Sequence, residues 1–193
     1  MPNTNTPFGA RPVATRGGAP YTGSINAYTI AAGDATATFV GDFVKLAGTA
    51  ETIGGRILPN VVQAATGDKI VGVVVGFKAS PTDLTSRHRV ASTSREVYVA
   101  DNPDLVFEMQ EASGGTALTA NDSGLNVDFV VAAGSAVTAQ SGIEINNATE
   151  ATTNTLDLHI IGPINREDNE IGANCKWMVT INRHQFANQV AGV

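Results

Sequence analysis

Residues 69–77 read KIVGVVVGF, and this stretch decides the fold class. Ile70, Val71, Val73, Val74, Val75 and Phe77 make it the most continuously apolar segment of the chain. It is rich in β-branched side chains, which pack well on a pleated surface, so it reads as a buried central strand. The turn Ala65-Thr66-Gly67-Asp68 feeds it. Upstream, GDFVKL at 41–46 is a strand carrying Phe43 and Val44. RILPNVVQ at 56–63 holds apolar residues around Pro59, which predicts two strand pieces or an edge strand with a bulge.

Downstream the same rhythm continues. A loop at 80–86 contains Pro81, and short strands are expected at 88–91 and 95–99, with Val97 and Val99 on one face and Tyr98 on the other. Asp101-Asn102-Pro103-Asp104 is a turn. Leu105, Phe107 and Met109 alternate with Val106, Glu108 and Gln110, the period of a half-exposed strand. The signal weakens over 118–141, where Val127, Phe129 and Val131 alternate, and Ile143 with Ile145 marks a short piece. Leu156, Leu158 and Ile160 form another alternating strand, and KWMVTIN at 176–182 puts Trp177, Val179 and Ile181 on one face. No stretch carries a capped three-turn helix; the nearest candidates are 116–123 and 184–190. About ten short strands between Gly, Pro and Asn turns predict an all-β chain, an antiparallel β-sandwich or β-barrel.

Residues 1–24 form a separate compositional zone. Pro2, Pro7, Pro12 and Pro20 interrupt regular structure, Gly9, Gly17, Gly18 and Gly23 loosen it, and Arg11 and Arg16 make it positive against an acidic remainder. It reads either as a weakly ordered terminus or as an extended N-terminal arm that orders on a partner, its arginines meeting carboxylates there. The candidate partner-binding residues are Pro7, Phe8, Arg11, Pro12, Arg16 and Tyr21. The rest, 25–193, is the β body, with 112–155 a possible elaboration.

Composition narrows the function classes. The chain has 193 residues, 42% hydrophobic, 6% aromatic and only 16% charged, against about 25% charged in a typical domain. That excludes a charge-laced helical bundle, a coiled coil and a polyelectrolyte tail. The net charge of -6 lacks the basic footprint of a nucleic-acid binder, and the tightest basic cluster is Arg87, His88 and Arg89. One cysteine, Cys175, permits neither a disulfide framework nor a thiolate metal cluster. No run of 18 apolar residues is present, and the first residues lack the apolar core of a secretion signal, so a chain made in a cytosol and outside membranes is expected.

Chemistry-bearing motifs are sparse. His88 sits between arginines, His159 lies on the polar face of its strand, and His184 reads as an anchor for the last segment; none has metal-ligand spacing. Asp101, Asp104, Glu108 and Glu111 straddle a turn, but glycoside chemistry also needs an aromatic cleft, and the chain has one Trp and three Tyr. Glu167, Asp168 and Glu170 read as solvated loop charge, with a calcium site as the alternative. There is no nucleophile elbow and no phosphate loop, and Cys175 reads as buried and inert. No enzyme, cofactor or metal is expected.

The series GDFVKL at 41–46, ATGDKIVGVVVGF at 65–77, VYVADNPDLVFEMQE at 97–111 and NREDNEIGANCKW at 165–177, on through Asn182 and His184, resembles the head decoration (cement) proteins of tailed phages. The resemblance implies a jelly-roll, β-tulip or related β fold. It also implies a structural virion protein on the outer surface of the capsid, bound to the major capsid protein as a homodimer or homotrimer. An arm at 1–24 would contact capsid subunits, with no direct nucleic-acid or membrane role. The competing reading is a host-surface or carbohydrate-binding β module of a tail or head fibre, which requires Tyr21, Tyr28, Tyr98 and Trp177 to cluster on the surface.

Overall fold

A computed structural model describes residues 3–187. The strands are β1 (Arg11–Thr15), β2 (Asn26–Ile30), β3 (Phe43–Ile53), β4 (Arg56–Gln63), β5 (Gly72–Phe77), β6 (Arg95–Ala100), β7 (Leu105–Gln110), β8 (Asn126–Val127), β9 (Phe129–Val130), β10 (Glu144–Ile145), β11 (Leu158–Pro163) and β12 (Lys176–Ile181). The chain is predominantly β-sheet with mixed strand directions. Five strands form one antiparallel sheet in the order β1-β7-β12-β11-β8. A second ladder runs β2-β4-β3-β5-β6 and returns to β2. β6 returns to β2 in antiparallel pairing, whereas β2 meets β4 in a parallel contact, Thr29 with Asn60, where wholly antiparallel pairing is expected from the sequence.

The ladder and the sheet share strands' faces rather than a single core. Phe43, Val73 and Ala100 point into a large core against the five-stranded sheet, while their neighbours Val44, Val74 and Val99 point into a smaller core inside the ladder. Successive side chains on a strand face opposite ways, so both faces of β5 are buried. This is why 69–77 carries no polar alternation. Gly72 opens β5 because a Cβ there would lie 2.3 Å from the Ala100 carbonyl oxygen. In the large core the Phe43 ring meets Phe107 edge-on at 6.3 Å and Phe129 at 5.0 Å, tying the ladder to β7 and β9. Such pairs add about 0.5–1.5 kcal/mol each beyond area burial.

Several expectations shift. β7 is buried on both faces: Val106, Glu108 and Gln110 are as covered as Leu105, Phe107 and Met109. Polar partners complete that second face, with Arg166 3.1 Å from Glu108, and Gln110 bonded to Asn5 and Glu144. Pro59 lies within one continuous strand, and the irregularity falls on its partner between Leu46 and Ala50. Residues 88–91 are not a strand; Arg89 only bridges to Thr38. Of the two helical candidates, 116–123 holds a single 3-10 turn (Ala120–Asp122), His184 bridges to Ile70 with 185–187 turning away after it, and 188–190 lie outside the described residues.

The N-terminal zone is built into the sheet over part of its length. β1 pairs with β7, Arg11 opposite Glu108 and Thr15 opposite Leu105. Segment 112–155 supplies Leu118, Val127, Phe129, Ile143 and Ile145 to the large core.

Candidate partner-binding cleft

Four of the six arm residues singled out from sequence converge. Phe8, Arg11, Pro12 and Tyr21 line one cleft of about 240 Å³ with the body residues Val40, Val74 and Val75. The Arg11 guanidinium lies over the Phe8 ring, 4.6 Å from its centre, and 3.9 Å from a carboxylate oxygen of Glu108. The Phe8 ring is buried, so arginine and ring make a rigid wall, and the cation–π contact holds the charged rim in place. Tyr21 is fixed by its backbone N–H to the Val13 carbonyl and by its hydroxyl, which donates to the Ser24 carbonyl. Burial raises the Tyr21 pKa, so its hydroxyl stays a neutral donor. Pro7 is exposed beside the cleft without lining it. Arg16 sits elsewhere, on the outer face of the five-stranded sheet.

A cavity of about 630 Å³ opens where the 79–94 loop meets Ile53. Glu96 in its wall accepts from Lys78 at 2.8 Å and faces Arg56 at 3.5 Å, and Asp83 accepts from the Thr85 hydroxyl at 2.6 Å. Arg95 donates to the carbonyls of Lys78, Ser86 and His88.

Among the described residues no three His, Cys, Asp or Glu are placed to hold a metal ion, and Asp168 pairs with Arg166 at 3.1 Å. No helix of the described residues is long and apolar enough to cross a membrane. His88 stacks on Phe39, its ring centre 4.8 Å away. His184 is buried and accepts the Phe186 N–H at 3.0 Å, while Ile70 bonds to the main chain of Arg183 and Gln185 on either side. Arg89, part of the tightest basic cluster in the sequence, is fully buried. Its position was not readable from the triplet Arg87-His88-Arg89, because three of the four carbonyls it binds lie more than 50 residues upstream.

Buried carboxyls supply a pH response. Glu111 is fully buried, its Oε2 accepting the Leu118 N–H at 3.0 Å, and burial pushes its pKa up to about 7. Cys175 beside it is pushed up to about 11, by burial first and then by the Glu111 charge. Burial likewise lifts Asp157 to about 6, against the Gly67 N–H that favours its charged form, and raises Asp42. A carboxyl whose folded pKa exceeds its unfolded value keeps its proton longer in the native state. Stability from these groups is therefore full below about pH 4 and falls as pH rises to about 7. His159 and His184, whose pKa values burial lowers, act in the opposite sense over the same window, so the Glu111 contribution is read as the difference in melting temperature between the unaltered protein and Glu111→Gln at about pH 5 and about pH 7.5. Glu111→Gln should gain melting temperature relative to the unaltered protein as pH rises from about 5 to about 7.5, and a difference that does not change with pH excludes Glu111 as a source of the response.

Comparison with protein-family models, with curated proteins and with solved structures finds no match.

Proposed function

We propose that the protein is a structural virion protein that decorates a tailed-phage capsid and stabilises it by bridging major capsid protein subunits. The observation that carries the binding role is the cleft. Half its wall comes from the N-terminal segment and half from Val40, Val74 and Val75 of the body, and it stays open to solvent. A cleft of this kind suits an apolar side chain of a partner, with Arg11 reading its rim. The setting on a phage shell rests on the resemblance of the strand-and-turn series at 41–46, 65–77, 97–111 and 165–184. In this reading the returning β2–β6 ladder is a small barrel backed by the five-stranded sheet. The protein then sits as a dimer or trimer on the outer capsid surface, where many weak copies add avidity.

The fibre or carbohydrate reading has less support. It needs exposed aromatics, yet Trp177 is fully buried in the large core and Tyr28 lies in the smaller one, donating to Asp101 at 2.6 Å.

Arg11→Gln tests the cleft, removing the charge without setting a second carboxylate opposite Glu108. The side chain is half exposed and its ion pair is long, so the fold tolerates the change. Binding to purified expanded capsids should fall about tenfold or more while the melting temperature holds. Unchanged occupancy would remove the cleft from the interface.

A further inference from the structure

The outer face of the five-stranded sheet carries a second depression, of about 330 Å³, lined by Arg16, His159, Ile161, Thr180 and Asn182. We infer that this depression is a carboxylate-binding site, and that its occupant is a glutamate or aspartate side chain of a partner protein. The inference deepens the reading above by naming the partner's chemistry, and rests on it only for where that carboxylate comes from.

Charge complementarity is the first argument. The other arginines of this region are already paired. Arg11 and Arg166 share Glu108, at 3.9 and 3.1 Å, and Arg183 holds Asp157 at 3.3 Å. Among the described residues Arg16 has no carboxylate within 4.0 Å, although the chain carries 18 Asp and Glu against 12 Lys and Arg. Its guanidinium donates to Thr180 Oγ1 at 3.1 Å, one use of a group with five donors in a flat fork. The Arg16 main chain is fixed by its N–H to the Asp104 carbonyl at 2.8 Å, so the fork starts from an ordered backbone.

The surrounding groups fit an anion on an aliphatic stem. Thr180 accepts from Arg16, which leaves its own hydroxyl hydrogen to donate. Asn126 gives its amide N–H to the Thr153 carbonyl, so its Oδ1 faces His159 Nδ1 at 2.8 Å and that nitrogen carries the ring's hydrogen. Nε2 then takes up a proton when the ring charges. Burial, and then the Arg16 charge, lower the His159 pKa. The groups lining the depression beside it, Thr180, Asn182 and Ile161, are uncharged, as is Asn126. A carboxylate placed beside Arg16 offsets that repulsion and favours the imidazolium. Ile161, on the same strand as His159, is 41% exposed and gives the methylene stem an apolar surface. A bare phosphate would leave that surface unused.

The test uses the full chain and titrates N-acetyl-glutamate amide by NMR, following His159 and Thr180. The expected result is saturable shifts at both residues, tighter binding as pH falls, and an upward move of the His159 titration midpoint with ligand present. N-acetyl-glutamine amide should cause no such shifts. Arg16→Gln should weaken binding about tenfold or more, and Arg16→Lys less severely, because Lys keeps the charge and loses the fork. Equal binding of the glutamine compound, binding unchanged in Arg16→Gln, or tighter binding of inorganic phosphate would each overturn the assignment. These outcomes are independent of the capsid measurement on Arg11→Gln, so the two readings fail separately.

Discussion

Arg89→Met is expected to cost at least about 3 kcal/mol of folding stability, or roughly 6–12 °C in melting temperature for a chain of this size. The side chain is fully buried and acts as a bracket for main chain remote in sequence. It donates to the carbonyls of Ala31, Asp34 and Thr36, and to Thr93 at 2.8 Å. The Asp34 carboxylate stands 3.7 Å away as its counter-charge. The Arg89 backbone also exchanges hydrogen bonds with Thr38, at 2.9 and 3.0 Å. Methionine fills similar volume but satisfies none of these acceptors, and each buried acceptor left unpaired costs about 1–3 kcal/mol. Arg89→Lys rescues little, because an ammonium cannot reach four carbonyls spread around a planar fork. A loss below about 1 kcal/mol in either variant, measured by urea denaturation, would show that the 31–36 loop stands without the bracket. Arg87→Met is the control: its guanidinium is tied only to the Val137 carbonyl in an exposed loop, and a change within about 0.5 kcal/mol is expected.

The contrast between those two arginines shows where the sequence is legible. Period-two alternation marks local structure, so β6, β11 and β12 and their buried faces can be read directly. Trp177, Val179 and Ile181 are all buried as their spacing requires. The cleft was legible in part, because an arginine and aromatics between prolines and glycines are unusual in so acidic a chain. What placed Phe8 and Tyr21 in one cleft with Val74 is long-range pairing, and no local pattern encodes that. β7 was misjudged for a related reason. Its alternate residues are polar, yet they are covered by Arg166 and Asn5, which arrive from opposite ends of the chain. Polar alternation reports which face can be solvated, not which face is.

Gly41→Ala is expected to break the joint between the N-terminal segment and the body, with a loss of about 3 kcal/mol or more. Gly41 has φ +94°, and a Cβ there would sit 2.6 Å from the Phe8 carbonyl oxygen. Gly9 crosses it with φ +74°, where a Cβ would lie 2.6 Å from both the Gly41 carbonyl oxygen and Ser141 Cβ. Two bare backbones therefore pass each other, tied by Ala10 N–H to the Gly41 carbonyl at 2.9 Å. Asp42 braces the crossing from below, accepting from Ser141 Oγ at 2.5 Å and from the Phe39 N–H at 2.7 Å. Gly48→Ala separates strain from collision: φ is +75° there too, but no atom lies within 4 Å of the added carbon, so about 1 kcal/mol is expected. Hydrogen exchange supplies the local readout. In Gly41→Ala the Ala10 amide should lose protection, and the β1–β7 amides with it. Equal melting temperatures for the two variants, with Ala10 still protected, would show that the crossing bears no weight. The same geometry bears on truncation. Removing residues 2–20 deletes Gly9, the buried Phe8 and the whole of β1, and bares the edge of β7. Such a truncation reports on the integrity of the body as well as on binding, so point changes at the cleft rim are what separate the two.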